Sequence, residues 1–385
     1  MKKIFGVNFN IFLLGLVSTI TDTGSKMILP ILPMFIKSLG GAGIAVGIVG
    51  GVSESIASLL KVFSGYFSDR IGKRKPFIYT GYALSSVAKL LMGLSSSWLH
   101  ILLLKPLERV GKGLRSAPRD ALIRHFSKES NIGKGFGFHR MMDSLGSVIG
   151  SIIALILIAH FNFSFASVIM AAGILSIFAL LPLHFVKERK SRPLRRKLLA
   201  SFSELPANLK LFIAIASLFA LANFSYMFFI LRAQVGFSGI NRVAIPIIMY
   251  TIYQAVYTIL SEPVGSASDR FGRRAMIQIG YLLFALTCFI LYFMQSFAAL
   301  LIAFLLYGAS LAFVDAMQRA FASELAPKEI LGTSMGLFHT SIGIMSLPAS
   351  VIAGFLWETV SPEAVFLYGA LISLLAALLL KGVKK

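Results

Sequence analysis

Long apolar runs separated by short polar breaks make up most of this chain. Twelve such runs occur, six in each half: 8–35, 44–67, 76–96, 98–123, 135–160, 163–186, 208–232, 243–266, 275–295, 297–321, 332–357 and 363–381. About 20 apolar residues cross ~30 Å of hydrocarbon as a helix, and backbone groups in lipid must bond within their own segment. The pattern therefore predicts an all-α membrane protein with twelve transmembrane helices.

Composition agrees with lipid as the main solvent of the chain. It is 57% hydrophobic and only 14% charged, and its mean hydropathy is +0.81. A soluble domain does not need that much apolar surface. The single cysteine, Cys288, falls within a predicted span, so neither an internal disulfide nor a cysteine-based metal site is expected.

The net charge of +21 is confined largely to one set of loops. Cations cluster on one side of the twelve-span arrangement, at 2–3, 70–75, 124–134, 187–197, 270–274, 328 and 381–385. The opposite loops carry few, chiefly Lys37 and Arg242. This is the positive-inside pattern, so we expect both termini in the cytoplasm and the chain in a bacterial plasma membrane. The same placement excludes a nucleic-acid partner.

A charged hairpin occurs once in each half. The sequence Gly65-Tyr-Phe-Ser-Asp-Arg-Ile-Gly-Lys-Arg returns as Gly265-Ser-Ala-Ser-Asp-Arg-Phe-Gly-Arg-Arg, 200 residues later. Arg119 matches Arg319, and Phe138-His139 matches Phe338-His339, at the same offset. We predict two pseudo-symmetric six-helix bundles, 1–186 and 208–385, joined by a basic cytoplasmic linker over 187–207. Duplicated bundles of this size are typical of transporters.

Two six-helix halves with Gly-x-x-x-Asp-Arg-x-Gly-[Arg/Lys]-Arg in each resemble the major facilitator superfamily over essentially the whole chain. Lys105-Pro-Leu-Glu-Arg-Val-Gly is similar to that superfamily's Arg-x-Leu-Gln-Gly-x-Gly. Asp143-Ser-Leu-Gly-Ser-Val-Ile-Gly is similar to the Gly-x-x-x-Gly-Pro element of its proton-linked antiporters, with Ser151 in place of proline. The stretch 108–123 looks like a bacterial branch whose substrate is unassigned. The resemblance implies the fold and an alternating-access mechanism, and no particular cargo.

The repeated hairpin predicts a latch on the cytoplasmic side. Its glycines permit a tight turn, and its acid can accept hydrogen bonds from a facing helix N-terminus. Its cations can pair with acids on neighbouring helix ends, with Asp120 as the natural partner. The predicted latch comprises Gly65, Asp69, Arg70, Gly72, Lys73, Arg74 and Asp120 in the first half, and Asp269, Arg270, Arg273 and Arg274 in the second.

Ionisable residues lie deep in the spans of the first half, where each costs ~2.5–3.5 kcal/mol or more unless it faces water or a partner. On span four, five of them share one helical face: Lys105, Glu108, Lys112, Arg115 and Arg119. We expect this face to line a central cavity, with Glu108 paired to Lys112, and Arg115 and Arg119 able to extend to the inner interface. A buried ion-pair network without a transport role is the alternative.

The deep charges of the first half balance. The acids are Asp22, Glu54, Glu108 and Asp143, and the bases are Lys26, Lys89, Arg109 and Lys112. Four against four predict a nearly neutral cavity, so the sum does not indicate the charge of the cargo. We regard the acids as proton-coupling candidates, and these bases together with Lys105 and His139 as substrate-binding candidates.

The second half carries mostly uncharged polar groups at the same depth. Asn223 and Tyr226 lie on span seven, and Tyr253, Gln254 and Tyr257 on span eight. With Tyr250, the span-eight tyrosines share a helical face. This stripe fits helix packing or one wall of a binding pocket.

These features predict a secondary active transporter rather than an enzyme. No nucleotide-binding motif, Gly-x-Ser-x-Gly or His-Glu-x-x-His occurs. A carboxylate that is neutralised when occluded would couple a proton gradient to rocking of the halves, with Asp143 and Glu54 favoured. We expect a monomeric proton-coupled antiporter that exports a small charged or polar solute without a cofactor, with the lipid bilayer, protons and the solute as partners. The alternative is a transition-metal or metal-chelate transporter that uses the first-half acids and His139.

Overall fold

A computed structural model describes residues 3–5, 7–71, 73–127, 132–187, 205–327 and 330–383. Most of the predicted linker, 188–204, and Gly72 of the first hairpin lie outside the described residues, as do the side chains of Asp69 and Asp269. The linker and these parts of the latch therefore stay predictions.

Helices account for nearly all of the described chain. They are α1 Phe9–Ile28, α2 Leu32–Ser38, α3 Gly43–Ile71, α4 Lys75–Gly93, α5 Trp98–Phe126, α6 Ile132–Ala159, α7 Phe165–Phe178, α8 Leu180–His184, α9 Ala207–Ala222, α10 Met227–Gln234, α11 Asn241–Phe271, α12 Arg273–Phe293, α13 Phe297–Leu325, α14 Leu331–Thr359 and α15 Pro362–Leu379. Two short strands, β1 Lys3–Ile4 and β2 Val7–Asn8, pair antiparallel before α1. The predicted all-α architecture is confirmed.

Each of the twelve predicted crossings coincides with one helix or one pair of consecutive helices. Within the described residues, ten segments are long and apolar enough to cross a membrane by length and composition. The remaining crossings are α4 and α5. Helix α5 is long enough to cross a membrane with its 29 residues, but its stripe of charges makes it less apolar than the ten other segments.

The duplication is visible in the helix boundaries. Helices α5 and α13 each have 29 residues and begin 199 positions apart, at Trp98 and Phe297. The first crossing of each half is broken at a similar place, between α1 and α2 and between α9 and α10. The two halves therefore repeat one backbone plan with different side chains.

By their internal contacts, the residues divide into two units. The first unit comprises 1–40 and 56–196, and the second comprises 41–55 and 197–385. Residues 41–55, the first half of α3, therefore group with the second unit although they precede most of the first in sequence. There the Gly43 amide donates to Glu358 Oε2 at 2.8 Å, and Ser55 Oγ donates to the Gly343 carbonyl at 2.6 Å.

Close helix packing organises the first unit around α1 and α6. A Cβ placed on Gly146 would lie 2.5 Å from the Thr19 carbonyl oxygen, and one on Gly150 would collide with the Thr23 carbonyl oxygen. Thr19 Oγ1 also donates to the Met142 carbonyl at 2.9 Å. Small residues four apart allow two helices to approach this closely. The antiporter-like element of α6 is thus the surface that holds α1.

Candidate functional site

The charged stripe of α5 is partly sealed within the first unit. Lys105 and Glu108 are 2% and 1% exposed, and Lys105 Nζ lies 2.8 Å from Glu108 Oε2. Arg109 Nε lies 3.7 Å from the same oxygen. Glu108 thus lies against Lys105 and Arg109, and its predicted pair with Lys112 stays a prediction. Lys105 sits on the same helical face three residues earlier and is more deeply buried than Lys112, so it has the greater need of a counter-ion.

Lys89 of α4 is fully buried and bridges two other helices. Its Nζ donates to the Thr21 carbonyl of α1 at 3.1 Å and to Ser176 Oγ of α7 at 2.9 Å. Glu108 is the acid within its electrostatic range that contributes most. These contacts give Lys89, Lys105 and Glu108 a structural role, and the expectation that the whole stripe faces water does not hold for Lys105 and Glu108.

Two further arginines of α5 are held by neighbouring helices instead of reaching freely toward the interface. Arg115 donates to Ser85 Oγ at 2.7 Å, and its guanidinium carbon lies 4.3 Å from the Tyr82 ring centroid. Arg119 donates to Ser18 Oγ at 3.1 Å. The 3–4 spacing on α5 placed both arginines on the charged face, although the sequence analysis did not assign either to a binding site.

A carboxylate and an imidazole face each other on α6. His139 Nδ1 lies 3.5 Å from Asp143 Oδ2, one turn apart. His139 is 4% exposed. Within the described residues, His139 Nε2 and Asp143 Oδ1 are buried without a hydrogen-bond partner. Asp22 of α1 lies within electrostatic range of His139, and Arg119 of α5 lies within range of both Asp22 and Asp143. We call Asp22, Arg119, His139 and Asp143 the acid–histidine site.

A group of cations lies beside this site. Lys26 of α1 is within electrostatic range of three other cations, with Asp22 as the acid in range. These four residues come from α1, α5 and α6, and we call them the cation group: Lys26, Arg109, Lys112 and Arg140. Lys26 and Lys112 are half-buried and Arg140 is exposed, so the group is partly accessible.

The charges of the first unit do not balance as predicted. Glu54 belongs to the second unit, and Lys105, Arg115 and Arg119 join the first-unit bases. Among the residues of its predicted spans whose side chains the structure describes, there are eight cations and four acids: Lys26, Lys89, Lys105, Arg109, Lys112, Arg115, Arg119 and Arg140 against Asp22, Glu108, Asp120 and Asp143. The expected neutrality therefore gives way to a positive surplus.

The duplicated half shows that this fold does not require these charges. At the offset of 200, Ala222, Tyr226, Phe289, Leu305, Gly308, Ala309 and Ala312 stand at the positions equivalent to Asp22, Lys26, Lys89, Lys105, Glu108, Arg109 and Lys112. Because the second half builds the same helices without them, the first-half charges are additions to the backbone plan.

The polar candidates of the second unit gather in an aromatic cluster. The ring centroids of Tyr226 and Tyr250 are 5.8 Å apart, and those of Tyr250 and Tyr253 are 5.0 Å apart. Tyr307 of α13, absent from the sequence candidates, extends the cluster at 5.1 Å from Tyr253. Glu54 is exposed and lies within electrostatic range of Tyr253 and Tyr307. Tyr250 and Tyr253 are buried, so packing accounts for these two rings.

The other second-unit candidates lie at the edges of this cluster. Tyr257 donates from its hydroxyl to Asp315 Oδ2 at 3.1 Å. Gln254 is half-buried on α11, and Asn223 ends α9 at the break before α10. Among the contacts that the structure describes, none links the side chain of Asn223 or Gln254 to a site.

The contacts of the second hairpin lie within the second unit, so the latch between the halves stays a prediction. Gly272 joins α11 to α12 with φ of 87°, a left-handed conformation that favours glycine. Arg273 lies 2.9 Å from Glu324 at the end of α13, as expected for a hairpin cation and a neighbouring helix end. Arg274 donates to the Val383 carbonyl at 2.8 Å, and Arg270 lies over the Phe271 ring.

The first hairpin is less defined. Gly65 lies within α3, Arg70 and Lys73 are exposed, and Arg74 is half-buried. Asp120, the predicted partner of these cations, instead forms an ion pair with its neighbour Arg119 at 3.1 Å. Arg119 directly precedes Asp120 near the end of α5, which explains why Asp120 pairs with it.

A metal centre finds no support in the described residues. They contain no group of three or more histidine, cysteine, aspartate or glutamate residues that could hold a metal ion. His139 and Asp143 lie together, with Asp22 in electrostatic range, but Arg119 lies among them, and a cation at that point would repel a bare metal ion.

Comparison with known proteins identifies the family. The model of the Major Facilitator Superfamily matches residues 14–247 and 239–384. The chain belongs to this superfamily. It is an integral, multi-pass membrane transporter of the MFS type, and it is not an enzyme.

Its similarities to individual members cover different extents. The transporter is 43% identical over 376 residues to the uncharacterized MFS-type transporter MJ1317 of Methanocaldococcus jannaschii, across 96% of this chain and 94% of that protein. Over 157 residues it is 31% identical to the multidrug resistance protein MdtH of Sodalis glossinidius, across 40% and 38% of the two chains. A crystal structure of the nucleoside transporter NupG superposes with a TM-score of 0.81 at 15% identity, covering 98% and 100%. At that identity the superposition supports the fold alone.

Proposed function

We propose that this transporter is a proton-coupled antiporter that exports a small charged or polar solute from the cytoplasm. In this proposal it works as a monomer in the plasma membrane with both termini inside, an orientation supported by the loop cations. The observation that carries the proposal is Asp143, held on α6 against His139, with a buried oxygen that has no hydrogen-bond partner among the described residues.

The surroundings of Asp143 suit a site that exchanges a proton for a solute. Arg119 of α5 lies within electrostatic range of both Asp143 and Asp22 of α1, and His139 and Arg140 share the helix of Asp143. A proton and a hydrogen-bond donor of the solute compete for the same carboxylate oxygens of Asp143. Alternate occupancy of Asp143 by one or the other is the requirement for antiport.

Export has two supports. The element that begins at Asp143 is similar to that of proton-linked antiporters and supplies the glycines that pack α6 on α1. The partial relatives are named for multidrug resistance.

The test uses full-length protein in liposomes that contain a pH-sensitive dye. A panel of anionic, neutral and cationic solutes is loaded inside, and an outward solute gradient should drive protons inward for at least one solute. Dye alkalinisation instead of acidification would indicate co-transport and reject antiport. Solute movement without any proton movement would reject proton coupling altogether.

A further inference from the structure

The imidazole of His139 has no task of its own in the proton exchange proposed above. Its Nδ1 lies 3.5 Å from Asp143 Oδ2, one helical turn away, and the two side chains are 5% and 17% exposed. The acid is therefore the more accessible member of the pair, and the ring is the more deeply buried one.

The ring nitrogen that faces away from the acid points to more than a structural role. Because Nδ1 faces Asp143, Nε2 lies on the other side of the ring, where it is buried without a hydrogen-bond partner among the described residues. A histidine that serves only to hold membrane helices together needs partners for both nitrogens, since lipid offers none. A ring with one nitrogen on a titratable carboxyl and the other unpartnered is the arrangement of a proton carrier.

The order of the two residues along α6 gives this carrier a direction. Helix α6 begins at Ile132, next to the loop cations that support a cytoplasmic position for this end. At a rise of about 1.5 Å per residue, His139 is about 10 Å and Asp143 about 16 Å along the helix. The imidazole thus lies between the acid and the cytoplasmic end, on the route of a proton that an exporter releases inward.

The charges around the ring allow a brief protonation. Helix α6 packs mainly against α1, α5, α7 and β2, and neither α7 nor β2 carries a titratable side chain. Asp22 of α1, Arg119 of α5 and Arg140 of α6 lie within electrostatic range of the ring. The two arginines oppose a further positive charge there, whereas Asp22 and an ionised Asp143 favour it. An imidazolium in these surroundings passes its proton on instead of storing it.

We propose that His139 is the proton relay of Asp143, which carries the proton displaced by a solute toward the cytoplasmic end of α6. The O–H bond of the carboxyl breaks as an N–H bond forms at Nδ1, leaving a carboxylate beside an imidazolium. The imidazolium then releases its Nε2 proton to cytoplasmic water, and exchange of the ring proton with water restores the starting tautomer. This inference rests on the proposed antiport, because it describes the route of the same proton.

The test follows the proton itself and needs no solute. A relay works in both directions, so it also speeds the protonation of Asp143 from the cytoplasmic side. A laser flash releases protons from a photoacid mixed with the purified full-length protein. Time-resolved infrared spectroscopy then follows the carbonyl band of the protonated Asp143 side chain, which is assigned by its absence in Asp143→Asn.

His139→Gln should slow the protonation of Asp143 by at least about tenfold, as loss of a positioned proton-transfer group does. The rates are compared at the pH at which Asp143 is half protonated in each variant. His339→Gln is the matched control and should leave the rate unchanged. His339 occupies the equivalent position of the second half, where Gly343 stands in place of the acid. A purely structural role for His139 would lower the melting temperature without slowing protonation of the folded protein.

The inference is overturned if His139→Gln protonates as fast as the parent, or if it changes only the pH of half protonation. Should that variant fail to fold, the order of bands in the unaltered protein, labelled with isotopic histidine, decides. An imidazolium band must rise before the carbonyl band of Asp143, and any other order overturns the relay.

Neither a solute nor a gradient enters this measurement, so the two proposals fail separately. Slowed protonation in His139→Gln, combined with no solute-driven proton movement in parent liposomes, would reject the antiport proposal alone. Solute-driven proton movement in the parent, combined with an unchanged protonation rate in His139→Gln, would reject the relay alone.

Discussion

His139 Nδ1 lies 3.5 Å from Asp143 Oδ2 on successive turns of α6. The glycines that follow on the same helix, Gly146 and Gly150, bring its backbone against α1. Helix α6 thus supplies the carboxylate–imidazole pair, and its glycines set the distance between this pair and α1, the helix that carries Asp22. This combination makes α6 the first target for mutation.

Asp143→Asn should abolish solute-driven proton movement in dye-loaded liposomes, because an amide cannot release the proton that the carboxylic acid exchanges. Binding of the solute, followed by melting temperature, should persist within about tenfold. Asp315→Asn is the control, since Asp315 is about half exposed and accepts a hydrogen bond from Tyr257. Unchanged proton movement in Asp143→Asn would exclude Asp143 as the coupling residue.

The buried ion pair of Lys105 and Glu108 on α5 should stabilise the fold only while both charges are present. Glu108→Gln leaves Lys105 buried without its carboxylate and should lower the free energy of unfolding by about 3–5 kcal/mol. The double variant Lys105→Met with Glu108→Leu should recover much of that loss. Equal losses in the single and double variants, measured by denaturant unfolding in detergent, would contradict this coupling.

Asp315 and Arg319 provide the exposed comparison for that pair. They are 3.9 Å apart, and their side chains are 52% and 50% exposed. Solvent screens such pairs, so Arg319→Gln should change the unfolding free energy by no more than about 1 kcal/mol. A loss as large as that of Glu108→Gln would show that burial is not what distinguishes the two.

Gly150→Leu should separate α1 from α6. A Cβ at this position collides with the Thr23 carbonyl oxygen, and enlarging a tightly packed position typically costs about 1–3 kcal/mol or more. Gly137→Leu is the matched control on the same helix, because no atom lies within 4 Å of a Cβ there. Melting temperatures should fall for Gly150→Leu and stay unchanged or rise for Gly137→Leu.

Arg232 anchors the second unit through an ion pair at one end of its helices. It is 2% exposed, donates to the Leu291 carbonyl at 3.0 Å and reaches Glu363 at 2.5 Å. Arg232→Gln should lower stability by about 3 kcal/mol, since it leaves acceptors without their donor. Glu363→Gln should cost about as much, because it leaves the buried guanidinium of Arg232 without its carboxylate. An unchanged melting temperature in either variant would contradict the assigned ion pair.

Much of the architecture could be predicted from hydrophobic runs and the 200-residue repeat. These patterns are local, and the bilayer leaves few solutions for a long apolar segment, so helix number and class follow. Pairings could not be predicted in the same way. Spacing placed Glu108 on a face with both Lys105 and Lys112, and only depth of burial selected Lys105.

Hydrophobic periodicity and the placement of charge are properties of the chain alone, so they were enough to predict an all-α, duplicated transporter whose ionisable groups concentrate in the first half. Which of these charges share a region depends on how the helices pack. The tertiary structure assigned residues 41–55, including Glu54, to the second unit, sealed Glu108 beside Lys105, and gathered Lys26, Lys112 and Arg140 from separate helices. Those outcomes depend on contacts between residues far apart in sequence, where close packing rather than local pattern selects the partner.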